Sequence, residues 1–292
     1  MEHQLWKCIV ARLAELSKPW TKGCDFSDQR IVQVWYWAVI HDRPVSWACQ
    51  RRHWPIALRR TWRLPSEATM SRRLRSDSVL DLLAQLERCV IAPKRSGLFW
   101  IIDGKPLEIS GCSKDRQAGY GRASGGKAKG YKVHALIGSD ESVAAWRLAP
   151  MNVDERVMAK RLLRVSDIQG YLAADRNYDS NKLHEQCAQK GNLQLVTPRR
   201  YGPGRSIGHH RQSAGRLRSI ALLENPVAGL GQRLMHDRTA IERQFGNWVN
   251  WGGGLSGLPA WVRTHRRVHR WVQAKLVLTA LKRTTASTTC AA

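Results

Sequence analysis

The sequence lacks paired cysteines. Its seven stand at 8, 24, 49, 89, 112, 187 and 290, scattered, odd in number and never in a Cys-x-x-Cys spacing. That pattern argues against a disulfide framework or a structural zinc site, and suits a reducing interior. Long apolar runs are missing too: none approaches the ~18 residues needed to span a bilayer, and the N-terminus has no basic-then-apolar signal segment. No internal repeat is visible. These absences lead to the expectation of a soluble cytoplasmic chain without a membrane partner. Acidic residues are also scarce, 23 against 48 Lys and Arg, for a formal net charge of +25. The scarcity is uneven: residues 1–97 hold 17 basic and 9 acidic side chains, 98–197 hold 15 and 11, and 198–292 hold 16 and only 3. An imbalance of this size calls for a polyanionic partner or a membrane surface, and the carboxylates gather in the middle of the chain, between basic flanks.

The 292 residues suffice for one large domain or two moderate ones. Residues 1–97 read as mainly helical. Ile31, Val32, Trp35, Val39 and Ile40 form an apolar stripe at helical spacing, with Pro44 just beyond. A short helix is expected near Val45-Ser46-Trp47, a third after Ser66 running to Arg75, and a fourth over Val79–Val90. Short helices ending in a Ser/Thr/Arg-rich one suggest a helix-turn-helix that offers Thr69, Arg72, Arg73 and Arg75 to DNA. The equal alternative is a small helical bundle with a basic outer face. Trp47, Trp54 and Trp62 fit a core better than a base-stacking platform.

After residue 97 the pattern turns extended. Leu98–Ile102 is a buried-strand run continuing through Asp103 to Leu107-Glu108-Ile109, followed by a Gly/Lys loop over 111–130. Tyr131–Ile137 and Val143–Leu148 are strands about the turn Gly138-Ser139-Asp140. Asn152 is placed to cap a helix over Val153–Arg164. Tyr171–Ala174 is a strand ending at Asp175, Ser180 caps a further helix, and Leu193–Val196 is a last strand. Three hairpin-like strands followed by helix–strand alternation imply an α/β mixed sheet flanked by helices. The domain reading is 1–97 helical, 98–283 catalytic with a basic loop at 198–233, and 284–292 a frayed tail.

Asp103 and Asp175 stand on strands that can be neighbours in such a sheet. Two aligned carboxylates are costly to ionise together unless cations lie between them, and hard oxygen donors favour Mg²⁺ or Mn²⁺. Two such ions about 4 Å apart can activate an attacking oxygen and stabilise the leaving oxygen of a phosphodiester. A third carboxylate comes from Glu224, Asp237 or Glu242, the acids after residue 197. Glu242 has helical apolar spacing around it, at Ile241, Phe245 and Trp248, with Arg238 one turn earlier on the same side. Residue types alone leave many triples open among 23 acids.

Ile101-Ile102-Asp103-Gly104, Gly130-Tyr131-Lys132-Val133-His134, Met151-Asn152-Val153-Asp154 and Ala174-Asp175-Arg176-Asn177-Tyr178-Asp179-Ser180, followed by Arg238-x-x-x-Glu242, make the chain resemble the DDE transposases of bacterial insertion sequences, the IS4/IS5-like group. The resemblance covers roughly residues 95–250. It implies an RNase H-like catalytic core, Asp103, Asp175 and Glu242 as catalytic and metal-binding residues for two Mg²⁺ or Mn²⁺ ions, and double-stranded DNA, both element ends and target, as partner. A homodimer in the DNA complex and a nucleoid-associated location follow from that role. The basic residues assigned to DNA are Arg72, Arg73, Arg75, Lys127, Lys129, Lys132, Arg238, Arg243, Arg266, Arg267 and Arg270. The group often has Tyr three residues before the Arg and Lys seven after the Glu. Met235 and Val249 stand there instead, with Arg243 or Lys275 as possible substitutes. Two other classes fit the same residues: a non-catalytic DNA-binding relic or regulator, and a nuclease of the same fold that never joins strands. The segment Gly121–Ala128 falls short of a phosphate-binding P-loop, because Ala128 replaces Ser or Thr and a strand follows. It reads instead as a basic loop touching DNA, with Lys114, Arg116 and Arg122 added to Lys127 and Lys129.

Overall fold

The computed structural model describes residues 2–16, 23–91, 97–123, 125–201, 207, 211–224, 229–250, 254–255 and 257–289. The chain divides into two compact units, Met1–Ile91 with Asn247–Ala292, and Ala92–Gly246.

The first unit begins with helices α1 (Glu2–Glu15), α2 (Asp28–Ile40), α3 (Val45–Ala48), α4 (Ile56–Thr61), α5 (Glu67–Arg73) and α6 (Asp77–Ile91). Ser27 starts α2 by accepting from the Arg30 N–H, and Ser66 starts α5 by accepting from the Thr69 N–H, satisfying donors that a helix start leaves open. In α2, Ile31, Val32 and every residue from Val34 to Val39 are buried. A helix apolar on all sides belongs inside, and α2 is the unit's centre. By contrast α6 buries one stripe, Val79, Leu82, Leu83 and Leu86. Trp54 is core, stacked on Trp37 at 4.9 Å and edge-on to Trp6 at 5.6 Å.

The second unit is a six-stranded mixed sheet with helices: β1 (Phe99–Glu108), β2 (Gly119–Ala123), β3 (Gly126–Gly138), β4 (Val143–Pro150), α7 (Glu155–Val165), β5 (Gly170–Ala173), α8 (Asn181–Ala188), β6 (Leu193–Val196), α9 (Ala214–Glu224), α10 (Leu230–Asp237) and α11 (Thr239–Asn250) as far as Gly246, where the unit ends. Antiparallel β3 lies between β1 and β4, while β1, β5 and β6 run parallel in that order. One face of the sheet, with Trp100, Ile102, Leu136, Leu172, Leu193 and Leu195, is packed by Ala159, Leu162 and Leu163 of α7 and Leu183 and Cys187 of α8. This arrangement is the RNase H-like α/β order expected from the sequence.

Three local expectations are corrected. The stretch 111–130 is not all loop: β2 and the start of β3 form a hairpin, turned through Gly126 at φ +114°. The cap of α7 is Asp154, which accepts from the Arg156 N–H, because Pro150–Val153 closes a turn first. The stretch 198–233 contains α9 and the start of α10. Its apolar periodicity is weak; α9 is held by Arg216 on Asp179 and by Ser219, whose Oγ accepts from the Thr197 N–H and donates to its carbonyl. The remainder of that stretch at 202–206, 208–210 and 225–228 lies outside the described residues.

The first unit is completed by α12 (His265–Thr289), which carries helix through most of the expected tail; residues 290–292 lie outside the described ones. Val268, Trp271 and Val272 are buried, and so is Lys275, whose Nζ bonds to the Val39 carbonyl and to Asp42. Lys275 is therefore spent on its own unit, which removes it as a substitute for the lysine absent at Val249.

Candidate active site

Parallel pairing of β1 with β5 matches Trp100 to Leu172 and Ile101 to Ala173. Carried two residues on, the same register brings Asp103 beside Asp175, where β5 gives way to a single 3₁₀ turn over Arg176–Tyr178. Each carboxylate is fixed by its own backbone. Asp103 Oδ1 accepts from the Gly104 N–H at 2.7 Å. Asp175 caps the turn, accepting from the Asn177 N–H at 2.8 Å and from Asn177 Nδ2 at 3.1 Å.

Arg238, between α10 and α11, stands within reach of two acids: 3.6 Å from Asp103 Oδ2 and 3.7 Å from Glu242 Oε1. Both contacts exceed hydrogen-bond length. Glu242 is the outermost member, its side chain 64% exposed in the first turn of α11. Among the described residues, no three His, Cys, Asp or Glu side chains converge closely enough to hold a metal ion. Asp103 and Asp175 are paired and Glu242 lies across the guanidinium.

The electrostatics mark this pair as short of positive charge. Burial pushes the Asp103 carboxyl up to about 6; the Gly104 N–H opposes that, the Asp175 charge adds to it, and Arg238 only partly relieves it. Burial likewise raises Asp175. Tyr178, fully buried beneath the pair, is pushed well above the usual phenol range by burial and then by Asp103, Glu155 and Asp175. The donor chemistry fits divalent cations: hard carboxylate oxygens, half-withdrawn from water, with no thiolate among them.

Glu155, in the first turn of α7, is a fourth carboxylate that sequence reasoning missed. Its charge raises both Asp103 and Asp175, and Lys132 Nζ holds its Oε1 at 2.7 Å. The available signal was Asp154, whose capping role brings the start of α7 to the same sheet edge. His134, next along β3 on the same face as Lys132, is buried and pushed down to about 3, by burial and then by Lys132, so it stays neutral.

The remaining basic residues fall into groups. Lys127 and Lys129 are on the β2–β3 hairpin, Lys132 is occupied by Glu155, and Arg243 is exposed on α11. In the first unit Arg72 and Arg75 are exposed at the end of α5, and Arg266 and Arg267 at the start of α12. Arg73 is turned inward, onto Asp28 and the Phe26 carbonyl. Arg270 donates to the Leu74 carbonyl and lies 5.5 Å over Trp35. Burial, then Arg267 and Arg75, push it down to about 10, which shows that the α5 and α12 arginines are neighbours although nearly two hundred residues apart in sequence.

Residues 95–279 match the family model described as a transposase DDE domain. No curated protein matches the chain.

Proposed function

The chain belongs to the DDE-domain transposases, and from that premise we propose that it is the transposase of an insertion sequence of the IS4/IS5-like group, binding the element's ends, cutting them and joining them to target DNA. Hydrolysis adds water across a P–O3′ bond and frees a 3′-hydroxyl. Attack by that hydroxyl on a target phosphodiester forms the new bond and expels the target's own 3′-hydroxyl. The observation that carries the reading is the β1/β5 register, which sets Asp103 against Asp175 with Arg238 and Glu242 on the same side.

In this reading Asp103, Asp175 and Glu242 hold two Mg²⁺ or Mn²⁺ ions. Bound there, the ions supply Lewis-acid activation at a phosphodiester. The chain's own residues do the rest. Asp103 on a central strand and Asp175 on a capped turn are rigid and set the position of the phosphate. Glu242, exposed on α11, has the freedom to turn in toward them. Arg238 balances the carboxylates and takes a phosphate oxygen when DNA arrives, with Arg243 beside it on α11. Arg72, Arg75, Arg266 and Arg267 supply phosphate contact from the first unit, with Arg73 and Arg270 bracing them rather than touching DNA. Pairing of two ends makes the working form a homodimer on DNA, and the chain's location is the nucleoid.

The test is nicking of an end-containing duplex with Mg²⁺ or Mn²⁺. Asp103→Asn, Asp175→Asn and Glu242→Gln are each expected to cut activity by at least about 10³-fold while DNA binding persists. Glu224→Gln and Asp237→Asn, the other acids after residue 197, serve as controls. Activity that survives in Glu242→Gln and disappears in Asp237→Asn assigns the third carboxylate elsewhere. A wild type that binds and never nicks belongs to the relic class, and one that nicks without joining is a nuclease.

A further inference from the structure

The β2–β3 hairpin carries a surface for which the carboxylate site has no use. Its register sets Tyr120 opposite Lys129 and Arg122 opposite Lys127. Strand alternation puts these four side chains on one face and Gly119 and Gly121 on the other. The glycine face is closed. A Cβ on Gly119 would lie 2.0 Å from Asn152 Oδ1, and one on Gly121 2.6 Å from the Met151 carbonyl oxygen, so the hairpin is seated against the turn that follows β4.

The opposite face is open. Tyr120 is 54% exposed, and the ammonium groups of Lys127 and Lys129 flank its ring at 5.8 and 5.9 Å from the centroid. Lys129 is steadied by donating to the Ser113 carbonyl at 2.7 Å. No acid occurs in the sequence between Asp115 and Asp140. Like charges directly opposite one another weaken a strand pair, so Arg122 against Lys127 is a liability until an anion lies across them. Phosphates account for the cations and leave the ring without a role. In an intact duplex each base face is covered by its neighbours. A ring raised between cations suits a base that has left the stack.

Resting on the DNA reading above, we propose that this hairpin is a clamp for distorted DNA: Tyr120 stacks on an unpaired base while Arg122 and Lys127 hold the flanking phosphates. Its position follows from the β3 ladder. Lys129, opposite Tyr120, lies six residues before Ala135, the partner of Asp103. At about 3.4 Å per residue that is roughly 20 Å along the sheet, or about six nucleotides of a strand running from Asp103.

The probe is a set of duplexes with a free 3′-hydroxyl end and one unpaired 2-aminopurine, stepped from about two to twelve nucleotides from that end. Wild-type protein is expected to change the fluorescence most near the sixth position. Tyr120→Phe keeps the response. Tyr120→Ala abolishes it and weakens binding to the unpaired probe about tenfold, leaving fully paired duplex unchanged. A response that persists in Tyr120→Ala, or an equal loss on paired and unpaired DNA, overturns the clamp. Wild-type binding to duplex with no positional response overturns the clamp alone, whereas no wild-type binding to any duplex overturns the DNA reading with it.

Discussion

Two aspartates of the sheet unit, Asp179 and Asp103, face arginines in opposite ways. Asp179, 3% exposed, takes Arg216 side-on: Nε to Oδ1 and Nη2 to Oδ2, both at 2.7 Å, with the Arg200 N–H at 3.0 Å. Burial by itself would raise that carboxyl, yet the hydrogen bonds from Arg216 and the Arg200 backbone, with His184 standing 3.6 Å away, hold it well below the usual carboxylate range. Asp103 meets Arg238 only at 3.6 Å, shares it with Glu242, and is pushed up to about 6. A bidentate, saturated pair is structural. A carboxylate kept half-buried beside a second one, with an arginine held off, is incomplete without added positive charge. The contrast separates the acid that builds α9 onto the sheet from the acid that awaits a ligand.

The largest effect expected from breaking the comparison is at Asp179. Asp179→Asn leaves Arg216 with half its partner inside the unit, and loss of one member of a buried pair costs about 3–5 kcal/mol. Urea or thermal unfolding measures it; a wild-type midpoint would show that the pair is not structural. The pH dependence has a definite sign. A carboxyl whose folded pKa is depressed stabilises above its unfolded value of about 3.9 and loses that contribution as pH falls toward the folded value. Wild type therefore loses stability below pH ~4 faster than Asp179→Asn does.

A smaller effect sharpens the other side. If Asp103 and Asp175 await divalent ions, Mg²⁺ stabilises the folded chain by mass action, about 1.4 kcal/mol at tenfold over Kd. Asp103→Asn and Asp175→Asn are expected to lose most of that protection, and Asp179→Asn to keep it on its lower baseline. The measurement is the unfolding midpoint against Mg²⁺ concentration, with Na⁺ at matched ionic strength. Equal protection of wild type and Asp103→Asn places the ion elsewhere.

The sequence made α2, the Ser66 cap of α5 and the neighbouring of β1 and β5 legible, because each depends on local periodicity, a cap or a strand end. It did not reveal α9, since Arg216 and Ser219 hold that helix through Asp179 and Thr197, partners invisible to local patterning. Nor did it reveal the hairpin, whose strand pairing competes with a Gly/Lys composition that reads as loop. Arginines and lysines were the hardest to read. Composition marks Arg73, Arg270 and Lys275 as surface charge like the rest, but Asp28, the Leu74 carbonyl and Asp42 turn them inward. Glu155 was hidden for the same reason: its closeness to Asp103 and Asp175 comes from where α7 starts on the sheet.

The smallest expected effect is the one that tests the contrast most directly. With chelator present and no divalent ion, Asp103 has to ionise above its folded pKa of about 6 in a half-buried place beside Asp175. For an acid whose folded pKa is raised, the stabilising contribution is complete below the unfolded value of about 3.9 and is lost as pH rises through the folded value. Asp103→Asn keeps the shape, never acquires the charge, and gives up only the long contact to Arg238. It is therefore expected to match wild type near pH 4 and to exceed it by on the order of 1 kcal/mol at pH 7.5. Asp179→Asn at the same pH goes the opposite way. Denaturant unfolding of both variants across that range reads out the sign. If Asp103→Asn is less stable than wild type at pH 7.5 in chelator, Asp103 is a satisfied carboxylate like Asp179, and the distinction between the two arginine pairs fails.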